Sequence, residues 1–183
     1  MSAPAPPTPA DPALLRMLKE SGAVRFGRFT LASGRTSEVY VDIKLAWTEP
    51  ARLALLGRLL SERVGGVDRL AGVELGAVPL LAATSLAARL PFSVIRRAAK
   101  AHGTHQRIEG EIPEGSLVLL IEDVTTSGGS VSEAVEVLRN AGGRVDRVLV
   151  VVDREEGARD RLASLGVRLE SLATLAELRG PSP

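Results

Sequence analysis

Apolar positions along this chain switch repeatedly between two spacings. Leu14, Leu15 and Leu18, and later Leu53, Leu56, Leu59, Leu60 and Val64, recur at helical intervals, as on a helix with one buried face. Short strand-like segments alternate with them, Arg69 to Val73, Phe92 to Ile95, Val145 to Val152 and Val167 to Leu172, together with the unbroken apolar run Val118 to Ile121. All five predict strands, and those at Val118 and Arg69 predict buried ones. Asp11-Pro12 predicts the start of the first helix and Gly22 its stop; Thr48-Glu49-Pro50 predicts the start of the second, ending at Gly65-Gly66. Further helices are predicted over Val78 to Arg89, about Ser130 to Asn140 and Glu156 to Ser164. Near the N-terminus, Phe29-Thr30-Leu31 and Val39-Tyr40-Val41 predict short strands around a turn at Ser33 to Ser37. Strands alternating with helices imply an α/β fold, a mostly parallel sheet with helices on both faces. In such sheets ligands sit beyond the carboxyl ends of the strands.

The run that begins at Val118 carries the chemistry. It is ended by two acids, Glu122 and Asp123, and then by Val124-Thr125-Thr126-Ser127-Gly128-Gly129-Ser130, a turn of hydroxyls and glycines that leads straight into a helical pattern. Glycines let backbone amides approach an anion closely, and a helix starting there aims unpaired N–H groups at it. Carboxylates repel phosphate but accept hydrogen bonds from sugar hydroxyls and can steady a magnesium ion directly or through water. One end of the motif therefore suits ribose and the other phosphate. The plain alternative is a strand–turn–helix corner with Asp123 or Ser130 as an N-cap. The motif lacks the Gly-Lys-Ser/Thr ending of a Walker A loop and is not GxGxxG.

Composition narrows the classes. A chain of 183 residues with 45% hydrophobic residues suits one domain with a sizeable core. A net charge of +1 and 3% aromatics give neither a long-range basic field nor stacking surface for nucleic acid. Cysteine is absent, so disulfides and thiolate metal sites are excluded. No apolar run reaches membrane-spanning length and no signal-peptide pattern opens the chain, so a cytoplasmic protein with no membrane partner is expected. Residues 1–10 read as a Pro/Ala-rich tail, 11–178 as a single domain and 179–183 as a short loose tail.

EDVTTSGGS closely resembles the phosphoribosyl-pyrophosphate signature of the type I phosphoribosyltransferases, in which two acids precede a loop that holds the 5-phosphate. A second segment, GRFTLASGRTSEVYVDIK, resembles the N-terminal hairpin of the orotate phosphoribosyltransferases, F-x-L-x-S-G-x-x-S-x-x-Y followed by an acid or amide and a basic residue. Ala32 stands where many members place a lysine. The polar stretch between Ile95 and Leu117 reads as a long loop. Within it RRAAKAHG resembles the family's flexible catalytic loop, R-[KR]-x-x-K-x-H-G, whereas His105 and Arg107 read as solvated. Asp153-Arg154 and the residues after it resemble a D-R-x-x-G segment whose arginine lies against orotate. The turn Glu74 to Pro79 corresponds to one that embraces pyrophosphate through backbone amides, here with Gly76 and no lysine; a tight connection without a ligand is the competing reading.

The resemblance implies an orotate phosphoribosyltransferase that converts orotate and phosphoribosyl pyrophosphate to orotidine 5'-phosphate and pyrophosphate in pyrimidine biosynthesis. It implies donor binding by Arg96, Arg97, Lys100, His102, Glu122, Asp123, Val124, Thr125, Thr126, Ser127, Gly128, Gly129 and Ser130. It further implies Lys100 and His102 as catalytic residues and Thr126 and Arg154 as the residues that face orotate. No protein metal site is implied; Mg2+ is expected through the substrate, near Glu122 or Asp123. A hood over about 11–48, a loop over about 96–113 and a homodimer that shares the loop between sites complete the expectation. The alternatives are a purine or uracil phosphoribosyltransferase, which should not need the hairpin, and a non-catalytic nucleotide- or RNA-binding regulator on the same fold.

Overall fold

The computed structural model describes residues 9–30, 36–98 and 107–180. Its centre is β6 (Val118–Thr125), in which successive side chains enter opposite cores. Leu119 and Ile121 join one core with Leu14, Leu18, Leu56, Leu60, Leu80 and Leu81, whereas Val118 and Leu120 join the other with Val131, Val135, Leu138 and Leu162. That alternation is the two-residue period of a strand covered on both faces.

Helices α1 (Pro12–Glu20), α3 (Pro50–Ser61) and α4 (Val78–Ala88) supply the first core; α5 (Gly129–Asn140) and α6 (Ala158–Ser164) supply the second. The predicted starts are realised. Asp11 Oδ1 accepts from the Ala13 N–H at 2.7 Å, Glu49 Oε2 accepts from the Arg52 N–H at 3.2 Å, and a proline follows each cap. Gly57 lets α3 and α4 touch, because a Cβ there would lie 2.7 Å from Ala83 Cβ.

Strands β3 (Arg69–Val73), β4 (Phe92–Ile95), β5 (Ile108–Glu109), β6, β7 (Arg147–Asp153) and β8 (Arg168–Thr174) form one sheet in the order β5-β4-β3-β6-β7-β8. All neighbours are parallel except β4 and β5. From β3 the chain moves outward to β4 and later returns on the other side of β3 as β6. The topological switch point therefore lies between the carboxyl ends of β3 and β6, where open α/β sheets hold ligands.

A separate two-stranded sheet pairs β1 (Val24–Thr30) with β2 (Thr36–Val41), antiparallel, with an irregularity between Phe26 and Phe29. Phe29 and Tyr40 stack across it with ring centroids 5.7 Å apart, and the Arg25 guanidinium lies 5.0 Å from the Tyr40 ring.

Four expectations are corrected. Glu122 and Asp123 do not end their strand: β6 continues to Thr125 because Glu122, Val124 and Thr125 pair with Val150, Val152 and Asp153. Thr36 and Ser37 belong to β2 and not to the hairpin turn; the rest of that turn, Ala32 included, lies outside the described residues. The stretch after Ile95 contains β5, held against β4, and Arg107 ion-pairs with Glu133 at 2.7 Å. Two short helices were not expected, α2 (Lys44–Trp47) and α7 (Leu175–Arg179), and Arg179 closes α7 instead of opening a loose tail.

Candidate active site

The acids at the end of β6 are packed together. Glu122 is 7% exposed and its Oε1 accepts the Asp123 backbone N–H at 3.1 Å, while Asp123 Oδ1 accepts the Val124 N–H at 2.8 Å. The Glu122 carboxyl is pushed up to about 8, first by burial, then by the charge of Asp123 and by a hydrogen bond between the two side chains; the Asp123 N–H and the Arg97 charge oppose the shift. The pair thus combines a carboxyl that keeps its proton near neutrality with a neighbour that accepts it, so together they can donate to and accept from a diol.

The turn after β3 abuts this pair. A Cβ on Gly76 would run into the Asp123 carboxylate, so only glycine allows the approach. Arg97 ties the far side of the same turn: its backbone N–H donates to Glu74 Oε1 at 3.0 Å and its Nε to Glu74 O at 2.9 Å. Arg96 turns away, with Nη1 3.2 Å from Glu109 Oε1. Lys100 and His102 lie outside the described residues.

Beyond the acids, Val124 is half-buried and Thr125 buried, its hydroxyl without a hydrogen-bond partner, while Thr126, Ser127 and Ser130 are exposed. Gly128, at φ +77, is the N-cap of α5; no side chain caps that helix and no acid occupies its first turn. Neither Asp123 nor Ser130 caps it, so the N-cap role that the plain alternative gave them is not taken up. The first-turn N–H groups lack intrahelical acceptors and face the turn, an arrangement that binds anions.

Arg154 follows β7 and is joined to this corner through the main chain. Its N–H donates to Thr125 O at 3.0 Å, and the Ala158 N–H donates to Thr126 O at 3.2 Å. The side chain is mostly buried, with Nη2 2.7 Å from Glu156 Oε1 and 3.4 Å from Ser37 Oγ on β2. Arg154 is therefore ion-paired with an acid two residues further on, its own side chain mostly buried and that of Glu156 half-exposed.

Three contributors were not singled out from the sequence: Ser37, Glu74 and Lys44. Lys44 lies 2.6 Å from Asp42, which raises its pKa first through their hydrogen bond, and the field of Asp123 adds to the effect. Their sequence signals were the second serine of the hairpin pattern for Ser37, the base that follows the hairpin for Lys44 and membership of the turn after β3 for Glu74. Open grooves of about 530 and 790 Å3 lie elsewhere, one beside β5 and α5 and one on the outer hairpin. Convergent chemistry marks this corner.

Residues 48–167 match the model of the phosphoribosyl transferase domain. Over 91% of this chain and 95% of the relative, the sequence is 48% identical to the orotate phosphoribosyltransferase of Methanocaldococcus jannaschii. This chain belongs to the orotate phosphoribosyltransferase family. The crystal structure of orotate phosphoribosyltransferase from Aeropyrum pernix superposes with a TM-score of 0.81 at 39% identity, covering 90% of this chain and 95% of that one. The orotate phosphoribosyltransferase of Mycobacterium tuberculosis H37Rv, solved in complex with 5-phospho-alpha-D-ribosyl 1-diphosphate, superposes with a TM-score of 0.74 at 32% identity, covering 92% and 99%. The mostly parallel sheet expected from the alternation of strands and helices is the fold of this family.

Proposed function

We propose that this protein transfers a 5-phosphoribosyl group from phosphoribosyl pyrophosphate to orotate, releasing pyrophosphate and orotidine 5'-phosphate. The observation that carries the reading is the juxtaposition, at the switch point of the sheet, of a buried acid pair and an uncapped glycine-led helix N-terminus. The pair Glu122 and Asp123 holds the ribose hydroxyls. The amides and hydroxyls of Thr125 to Ser130 hold the 5-phosphate, with Thr125 contributing through its backbone because its hydroxyl is buried. Arg154 and Thr126 face the base. Arg97, already fastened to the turn after β3, acts with Arg96, Lys100 and His102 on the pyrophosphate.

The anomeric carbon loses pyrophosphate as a ring nitrogen of orotate arrives, so positive charge grows on the sugar and negative charge on the leaving group. No enzymic nucleophile is required. The side chains orient the reactants and stabilise charge in a site closed to water. Among the described residues no group of three or more His, Cys, Asp or Glu could hold a metal ion. The half-buried Asp123 beside Glu122 instead offers hard oxygen donors, the set that suits Mg2+ bound mainly through substrate phosphates. When bound, Mg2+ would offset the charge of the pyrophosphate. Among the described residues no helix is long and apolar enough to cross a membrane, and a cytoplasmic homodimer that shares the basic loop is part of the same reading.

The hairpin favours orotate over a purine or uracil, since Ser37 of β2 reaches Arg154. The test is a spectrophotometric assay of orotate consumption dependent on both donor and Mg2+, run beside the other bases. Lys100→Ala should lower kcat by ~10²–10⁴ while leaving donor binding near normal. Turnover surviving that change within about threefold would overturn the loop assignment, and consumption of another base in place of orotate would overturn the substrate.

A further inference from the structure

Arg154 is 11% exposed in its side chain, yet its donors are under-used. Nη2 meets Glu156 at 2.7 Å and Ser37 at 3.4 Å, whereas Nε is buried without a hydrogen-bond partner among the described residues. Nε and Nη2 form one side of the guanidinium, the edge that grips a carboxylate through two parallel bonds. Glu156 gives one oxygen to one arm of that edge and leaves the other arm empty. A buried donor without an acceptor is destabilising, and a planar carboxylate lying along the edge would relieve it. Glu156 is 47% exposed, so its own carboxylate can return to water at little cost.

We propose that Glu156 is a positioning residue that holds Arg154 in the empty site and is exchanged, charge for charge, for the carboxylate of the incoming base. The exchange rests on Arg154 being the base-facing arginine. Glu156 keeps a buried cation paired until the ligand arrives, which avoids leaving that charge without a counter-ion. It also competes with the ligand, so it weakens binding of a carboxylate-bearing base and leaves a base without one unaffected. On release, the returning Glu156 helps to displace the product's carboxylate.

The test is the binding of orotate, and separately of uracil, to the full chain in the presence of pyrophosphate and Mg2+, for wild type and Glu156→Gln. Glutamine retains the shape and gives up the charge. Orotate should bind about three- to tenfold more tightly to the variant, while the dissociation constant for uracil stays at the wild-type value and the unliganded variant melts lower because Arg154 has lost its counter-ion. A purely structural role would move both bases together. Unchanged or weaker orotate binding by the variant overturns the exchange, as does an equal gain for uracil. Failure of the wild type to bind orotate at all overturns the functional reading and the exchange with it.

Discussion

Gly128 and Gly22 form a matched pair for testing what limits the turn before α5. Their backbones are nearly the same, at φ +77 and +73. Their surroundings differ: a Cβ on Gly128 would lie 3.0 Å from Ala158 Cα and 3.2 Å from Ala158 Cβ, whereas one on Gly22 would meet nothing within 4 Å. Each Gly→Ala change forces a residue with a side chain into the left-handed region, at ~1–2 kcal/mol. Gly128→Ala adds the overpacking against Ala158, ~1–3 kcal/mol. The Gly128 variant should therefore be ~1–3 kcal/mol less stable than the Gly22 variant. For a chain of this size each kcal/mol moves Tm by about 2–4 °C, so the two variants should melt at visibly different temperatures. Urea unfolding followed by circular dichroism gives the free energies directly. Gly128→Ala should also weaken binding of phosphoribosyl pyrophosphate, because the α5 N-terminus has to shift, and Gly22→Ala should leave it unchanged. Equal stability losses in the two variants would refute the claim that the Ala158 backbone sets the position of this turn.

Two further outcomes follow from other parts of the molecule. Folded Glu122 keeps its proton up to about 8, whereas the unfolded side chain keeps it only to its ordinary value of 4.5. The folded state binds more protons between those limits, so its stability falls as pH rises through that window and levels off above it. Glu122→Gln cannot ionise. Its melting temperature should be close to that of wild type near the acid limit and gain on it steadily toward the upper limit; parallel pH profiles would contradict the assignment. Arg147 donates to the carbonyls of Arg63 at 2.8 Å, Gly65 at 3.1 Å and Val64, and lies 3.5 Å from Glu170. Arg147→Ala leaves those oxygens unpaired and should cost ~2–4 kcal/mol in denaturant unfolding, with Arg147→Lys recovering only part of it.

Most of the scaffold was legible because its strands and helices satisfy strong local rules. The apolar run at Val118, the caps at Asp11 and Glu49 and the leucine spacing of α3 all pointed to the elements that formed. The extension of β6 through its acids was not legible, since a charged residue interrupts the apolar run and only pairing with β7 sustains the strand. Strand β5 was hidden for a similar reason: two residues suffice when the Arg96 N–H donates to Arg107 O and β4 supplies the partner. By contrast α7 carried a readable signal. Thr174-Leu175-Ala176-Glu177 is a capping box whose two reciprocal bonds are both present, and that pattern can be read from sequence. At the site, the acids and the glycine turn announced themselves by residue type. Glu74 and Glu156 did not, because a glutamate in a polar stretch acquires its meaning only from what folding brings beside it.

The two main-chain bonds from Arg154 to Thr125 and from Ala158 to Thr126 have a further consequence. They fix the distance between the acid corner at the end of β6 and the loop that carries Arg154 with peptide groups, which are the same whatever side chains the positions carry. Side chains on either loop can therefore be exchanged, by selection or by an engineer, without altering the span that a donor and an acceptor must bridge. Retargeting this protein to another heterocycle is a problem of choosing groups along a ruler whose length is already set.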